Sequence, residues 1–462
     1  MKVSNIKTLK LYLIAIEKFT NWLTPERLKL YPPLIPLFFI ITWAISQYLG
    51  PGLLDGSGTI IGSDFLAFYN AGSFFVSDKM DKLYNFYEQY LFQKSVTAPF
   101  PGNGFFPFIN PPFSAPFFAL FSRSGYLEGL IYWWVVGLLL ILFSIGILRN
   151  EMKSLKKYSM IKLMIMCFMF PPALIWFIHG QNTPITLFLF TLIFILLRQK
   201  YDFTAGILFG FLLYKPQLAI GIGVLILLKK RWHTLLGGCL GASFLLVVGF
   251  TTSTQAMHDY FQIFPHLTNI IRLSPNYQVL KTPLFNLVGE LNYPSWGLHS
   301  FFGFSSLLLD NIWKFGANLL TILLTIGSLT LIFFLWVKKK WDPGTKSWDF
   351  RMAATLIISL LVSPHLFTYD LMLLVLPLGI IFSHFPEGTL GKPLDGGALL
   401  FWTALIYIGP FCSGLLTNAQ LRLFKLIGFP QFAIQLSLFL LLGWTWVVIQ
   451  ESKKRNSPPA VL

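Results

Sequence analysis

The sequence predicts an all-α polytopic membrane protein, a bundle of about 10–13 transmembrane helices. Three observations carry that prediction. Of 462 residues, 55% are hydrophobic and only 12% are charged, roughly half the charged share of a soluble domain. Apolar runs near the ~20 residues that a bilayer requires recur along the whole chain. The runs are continuous rather than short and alternating, which excludes a β-barrel.

The elements follow in order. Residues 1–33 set Leu9, Leu13, Ile16 and Phe19 at helical spacing among Lys2, Lys7, Lys10, Lys18, Arg27 and Lys29, a cytoplasmic basic amphipathic segment at the membrane surface. No short apolar region with a small-residue cleavage site is found, so no cleaved signal peptide is expected. A single catalytic bundle is expected over 34–450. Its first span is 34–50, and 51–112 forms a first outer loop carrying the interfacial helix that begins Ser63-Asp64-Phe65. Residues 113–121 are apolar but too short to cross. Spans follow near 127–148, 158–179, 183–197, 232–252, 315–337, 351–363, 366–384, 398–416 and 430–450. Two short pieces, 203–213 and 217–229, are broken at Lys215-Pro216; helices broken at membrane depth line a cavity, because the freed backbone groups need partners. A large outer loop covers 253–314, and 451–462 is a cytoplasmic tail.

The net charge of +16 is mostly a topology signal. With the N-terminus inside, Arg149 to Lys157, Arg198 and Lys200, Lys229 to Arg231, Lys338 to Arg351, Lys392 and Lys453 to Arg455 fall on the cytoplasmic side, as the positive-inside rule requires. Both termini are then cytoplasmic, and no nucleic-acid partner is implied. Cys167, Cys239 and Cys412 lie in or beside apolar runs and form no metal or disulfide pattern. No phosphate-binding glycine loop, dinucleotide fingerprint, zinc motif or nucleophile elbow occurs, so the metal set is empty and no cofactor is assigned; a divalent-ion requirement is left open.

On this topology the unusual polar residues converge on one side: Asp64, His179-Gly180-Gln181-Asn182, Lys215, the 253–314 loop, and Ser363-Pro364-His365 with Tyr369-Asp370. Such convergence marks a single site. Asp64 is open to two readings. A carboxylate shielded by Phe65, Phe68 and Tyr69 serves as a general base; equally, Ser63 or Asp64 caps the helix that follows. Lys215 in an apolar run either pairs with an anion such as phosphate or snorkels to the interface. Gln181 and Asn182 bind sugar hydroxyls or cap the next helix. His365 contacts a phosphate or leaving group, or is a turn histidine with Asp370 bonded to a neighbouring helix.

The pattern Ser63-Asp64-Phe65 with Tyr69 and Ala71, then Leu83-Tyr84, Asn110-Pro111-Pro112, Gly180-Gln181-Asn182, Lys215-Pro216 and Ser363-Pro364-His365 with Tyr369-Asp370 resembles glycosyltransferase family 87. The resemblance spans about residues 60–375. It implies a C-type glycosyltransferase fold in the cell (inner) membrane, with the active site on the extracytoplasmic face. It also implies a polyprenyl-phosphate sugar donor, mannose in the members it resembles, and a lipid or glycan acceptor among the membrane lipids. Asp64 then acts as the base. Lys215, His365, Lys281 and Arg272 are candidates for the donor phosphate, and Tyr69, Asn110, His179, Gln181, Asn182, Tyr369 and Asp370 for sugar or acceptor. Asn110 stands where the family more often has tyrosine, and Pro275-Asn276-Tyr277-Gln278 matches the family's large-loop pattern only loosely. The competing class is a transporter or flippase of an anionic or glycosylated lipid; the chain lacks the internal repeats common in such proteins.

Overall fold

The computed structural model describes residues 25–267, 295–385, 397–428 and 432–453, with positions 14 and 18. Arg272, Lys281, the 275–278 segment, most of 1–33 and most of 451–462 lie outside the described residues. The described chain is an all-α polytopic membrane protein; its β content is two isolated bridges, Leu54 with Ile60 and Leu298 with Phe367.

The described chain opens with α1 (Pro25–Leu49), over the expected first span. The expected first outer loop then folds into α2 (Ser63–Val76) and α3 (Phe86–Thr97). The apolar stretch Pro112–Phe121 is about 15 Å long at 1.5 Å per residue, half a bilayer core. It packs under α2, where Phe68 stacks on Phe118 at 4.5 Å. After it come α4 (Tyr126–Glu151), α5 (Met160–Phe168) and α6 (Pro171–His179). The expected span 158–179 is bent by 77° between α5 and α6. Pro171 and Pro172 cause the bend: Phe170, ahead of them, is extended at φ −80°, ψ 112°, because a proline ring disfavours helical geometry in the preceding residue.

The chain continues through α7 (Thr183–Arg198), α8 (Asp202–Phe211), α9 (Pro216–Leu228), α10 (Trp232–Thr252) and α11 (Thr254–Ile263). The break between α8 and α9 falls at Lys215, φ −139°, ψ 65°, with Pro216 opening α9. α8 and α10 touch backbone to backbone. A Cβ on Gly206 would lie 2.1 Å from Thr234 O, and one on Gly210 2.3 Å from Gly238 O, the small-residue packing that replaces hydrophobic driving force inside lipid. Then come α12 (Phe301–Leu309), α13 (Lys314–Trp336), α14 (Lys346–Val362), α15 (Val375–Phe382), α16 (Gly397–Leu426) and α17 (Leu436–Lys453). The expected span at 366–384 opens as a 3-10 helix, Thr368–Leu374, before α15. Among the described residues four helices, α4, α10, α13 and Ala398–Leu426 of α16, are long and apolar enough to cross alone. Of the shorter ones, α7 is mostly buried, whereas α1 leaves Leu34, Leu37, Phe38, Ile40 and Ile45 exposed. α14 is the axis: every residue from Trp348 to Val362 is buried, Asp349 and Arg351 included, these two through ion pairs with Arg198 and Asp342.

The bundle has two polar ends. At one, Arg198 is paired with Glu151 and Asp349, and His384 Nε2 lies 2.9 Å from Asp349. α7 connects this end to the other, about 24 Å away for its 16 residues at 1.5 Å each. There Thr183 Oγ1 donates to Asp370 at 3.1 Å.

Candidate active site

A cavity of about 800 Å³ opens at the second polar end. Its floor is the start of α2. Gly62, in the left-handed region at φ 66°, caps that helix without any side-chain bond. Neither Ser63 nor Asp64 therefore serves as the cap. Ser63 Oγ instead lies 2.9 Å from His179 Nδ1, and Gln181 Nε2 donates to Asp64 Oδ2 at 3.1 Å.

What brings Gln181 to Asp64 is the turn after α6. Gly180 ends α6 at φ 66°, and a Cβ there would lie 2.8 Å from the Phe65 Cβ, so a glycine lets the turn seat against α2. Two indoles hold the turn from behind: Trp133 Nε1 donates to Gly180 O at 2.8 Å, and Trp176 Nε1 to Gln181 O. The Asp64 carboxyl sits half-buried in the cavity wall. Burial pushes it above the ordinary carboxylate range and Asp370 adds to this, against the downward pull of His179, the Gln181 amide and Lys215.

Opposite, the α8–α9 break presents Lys215 Nζ 3.1 Å from Asp370 Oδ1. That oxygen also accepts from Thr183, and Tyr214 shares a hydrogen bond with Thr186. Among the described lining residues Lys215 is the sole lysine or arginine, and its charge is balanced by Asp370. His365 lines the same space, and burial together with Lys215 pushes it down to about 4. It is therefore a neutral imidazole at physiological pH, offering a hydrogen bond but no positive charge.

The expected site residues are mostly brought together. Asp64, His179, Gln181, Lys215, His365, Tyr369, Asp370 and Asn110 all line the cavity. Tyr69 does not: its ring packs on Phe65 and Tyr126, and its hydroxyl donates to Ser124 O at 2.9 Å. Asn182 does not either; it is fully buried behind the turn. Arg272 and Lys281 fall outside the described residues. Asn110 is set by a ladder that sequence patterning does not reveal. Gln89 and Gln93, one turn apart on α3, bond the backbone of Phe108 and Phe106, and Tyr84 donates to Asn110 O at 2.6 Å.

Three further groups go unnoticed in the sequence: Ser63 on His179, Thr183 on Asp370, and Trp296 in the wall. The first stood beside Asp64 and carried a capping signal that hid its role. The others depend on contacts over 100 residues apart in the chain. One flank is apolar, from Phe39 of α1, Ile175 and Ile178 of α6 and Phe411 of α16; Phe39 and Phe411 meet edge to face at 5.0 Å. Among the described residues no group of three or more His, Cys, Asp or Glu converges on a metal-binding geometry.

Residues 108–364, more than half of the chain, match the model of Glycosyltransferase family 87. No curated protein matches the chain, and no solved structure does. The matched stretch contains Asn110, the Gly180-Gln181 turn, Lys215 and Pro364; His365 directly follows its end, and Asp64 lies well ahead of its start.

Proposed function

Since the chain belongs to glycosyltransferase family 87 and is a glycosyltransferase, we propose that it moves a hexose, mannose in our reading, from a polyprenyl-phosphate sugar to a hydroxyl on a lipid or glycan at the extracytoplasmic face of the cell membrane. The observation that carries this reading is Asp64, a carboxylate held by Gln181 in a cavity with one apolar flank and one charged wall.

The polyprenyl tail lies along Phe39, Ile175, Ile178 and Phe411. This places the sugar between Asp64 and the Lys215–Asp370 pair. Asp64 takes the acceptor's hydroxyl proton through its second oxygen, since Oδ2 is engaged by Gln181. The acceptor oxygen bonds to the anomeric carbon as the bond from that carbon to the phosphate oxygen breaks. The configuration inverts, and the leaving lipid phosphate departs as an anion without a strong acid to assist it. Lys215 turns from Asp370 toward that developing charge, where a low dielectric makes the attraction strong. His365 donates a neutral hydrogen bond to the phosphate.

The test is transfer of radiolabel from polyprenyl-phosphate mannose into membrane lipid. Asp64→Asn and Asp64→Ala proteins that express and melt as the parent does are expected to lose transfer by at least 100-fold, the usual worth of a positioned base. Normal turnover in Asp64→Ala would sink the assignment.

A further inference from the structure

We propose that the end of the bundle opposite the cavity holds a phosphate-anion site for the headgroup of an anionic phospholipid, built by Lys229, Arg231, Trp341 and the Lys338–Lys340 run. Lys229 closes α9, Arg231 precedes α10, and the lysine run follows α13. Lys229 Nζ donates to Trp336 O at 3.3 Å and to Lys339 O at 2.6 Å, which draws the run against α9. Arg231 pairs with Asp202 through Nη2 alone and lies 5.1 Å over the Trp341 ring. The Arg231 Nε and Trp341 Nε1 donors are both buried without a hydrogen-bond partner. Asp202 Oδ1, on the carboxylate that Arg231 pairs with, is likewise buried without a partner and can take the Arg231 Nε donor. The donor left over is Trp341 Nε1, and a buried donor with no partner calls for an acceptor such as an anion.

The charge around them is lopsided. Arg231 is paired with Asp202 and Arg351 with Asp342, while Lys230 and Lys338 to Lys340, next to them in the chain, add four exposed positive charges. Burial, Arg351 and Arg231 together push Lys229 below the ordinary lysine range, although Asp342 pulls the other way. The anion is amphipathic because an apolar strip runs on from the cluster. Trp232, Leu236, Leu240 and Phe244 recur every fourth residue of α10 and are all exposed, so acyl chains follow the strip while the headgroup meets the donors. Basic pockets between helices at the cytoplasmic surface take anionic headgroups in this way.

The test is native mass spectrometry of the full, delipidated chain titrated with phosphatidylglycerol or with phosphatidylcholine of the same chain length. Phosphatidylglycerol is expected to bind at least about tenfold tighter. Arg231→Gln is expected to remove most of that preference. So is Lys338→Ala/Lys339→Ala/Lys340→Ala, whose side chains are exposed and leave the fold alone. A charge-matched control, Lys153→Ala/Lys156→Ala/Lys157→Ala, alters exposed lysines at the same end that lack the tryptophan and its unpartnered donor; it is expected to keep the preference. Equal binding of the two lipids, or an equal loss in the control, overturns the site. Inorganic phosphate binding as tightly as the lipid overturns the assignment to a headgroup.

Discussion

Lys215 and Asp370 stand 155 residues apart in the chain and 3.1 Å apart in space, and Thr183 donates to the same carboxylate oxygen. The pair resolves two separate sequence expectations, a phosphate-binding lysine and a helix-bonded aspartate, into one unit. Side-chain exposures of 12% and 4% place it among buried pairs, where removing one partner strands the other's charge.

Lys215→Met or Asp370→Leu alone is therefore expected to lower stability by on the order of 3 kcal/mol. The double variant should lose clearly less than the sum, since no charge is stranded, while on the proposed mechanism transfer stays absent, because the donor phosphate has lost its cation. Thermal unfolding of the three purified proteins measures this. Strictly additive losses would show that the pair is not a unit.

Gln181→Leu tests how Asp64 is tuned. The amide favours the ionised carboxylate, so its loss raises Asp64 further. A base works only when ionised, so the acid limb of kcat/KM against pH moves to higher pH, and turnover near neutrality falls by about tenfold. Gln181→Glu moves the limb further still, because a like charge also disfavours ionisation. If both variants keep the parent's pH profile, the 3.1 Å contact has no part in catalysis.

Much of this site was legible in the sequence because its signals were local. The lysine before Pro216, the Gly180-Gln181 turn and the stretch from Ser363 to Asp370 each break an apolar pattern, and all three reach the cavity. Topology from lysine and arginine grouped them on one side before any contact was known. What stayed hidden was side-chain direction. Tyr69 shares a helix with Asp64 yet sits on the face that packs toward Ser124, a distinction that one apolar-rich helix in contact on several sides does not advertise. Asn182 follows Gln181 directly, but a turn sends consecutive side chains opposite ways. The bend at Phe170 was written in Pro171-Pro172, yet a continuous apolar run masked it.

Gly180→Ala is expected to be costly. The residue sits at φ 66°, which costs an L-residue about 1–2 kcal/mol, and its new Cβ would press on Phe65 at 2.8 Å. Because the same turn carries Gln181, transfer should fall further than the melting temperature implies. Gly344→Ala, also at positive φ but with nothing within 4 Å, separates backbone strain from displacement of the turn. Matching losses of activity in the two variants would show that the contact with α2 does not matter.

The last prediction concerns His299, which ties the cavity wall to α17. It is fully buried, with Nδ1 2.8 Å from Ser437 Oγ and Nε2 3.0 Å from Thr368 Oγ1. Burial pushes it down to about 3, whereas an unfolded histidine titrates near 6.5. Between those values the unfolded chain takes up a proton that the folded chain refuses. Stability therefore falls as pH drops below about 6.5, by up to about 1.4 kcal/mol per unit, and is insensitive to this group above it. Asp64 works in the opposite sense, since a raised carboxyl binds its proton more readily in the folded state. That contribution is common to parent and variant and cancels in their difference. His299→Gln cannot take up the proton, so its melting temperature should decline less between pH 7 and pH 5 than the parent's, whatever its value at pH 7. Parallel declines in the two proteins would mean that His299 is protonated in the fold, and that the Thr368 and Ser437 hydroxyls both accept from it.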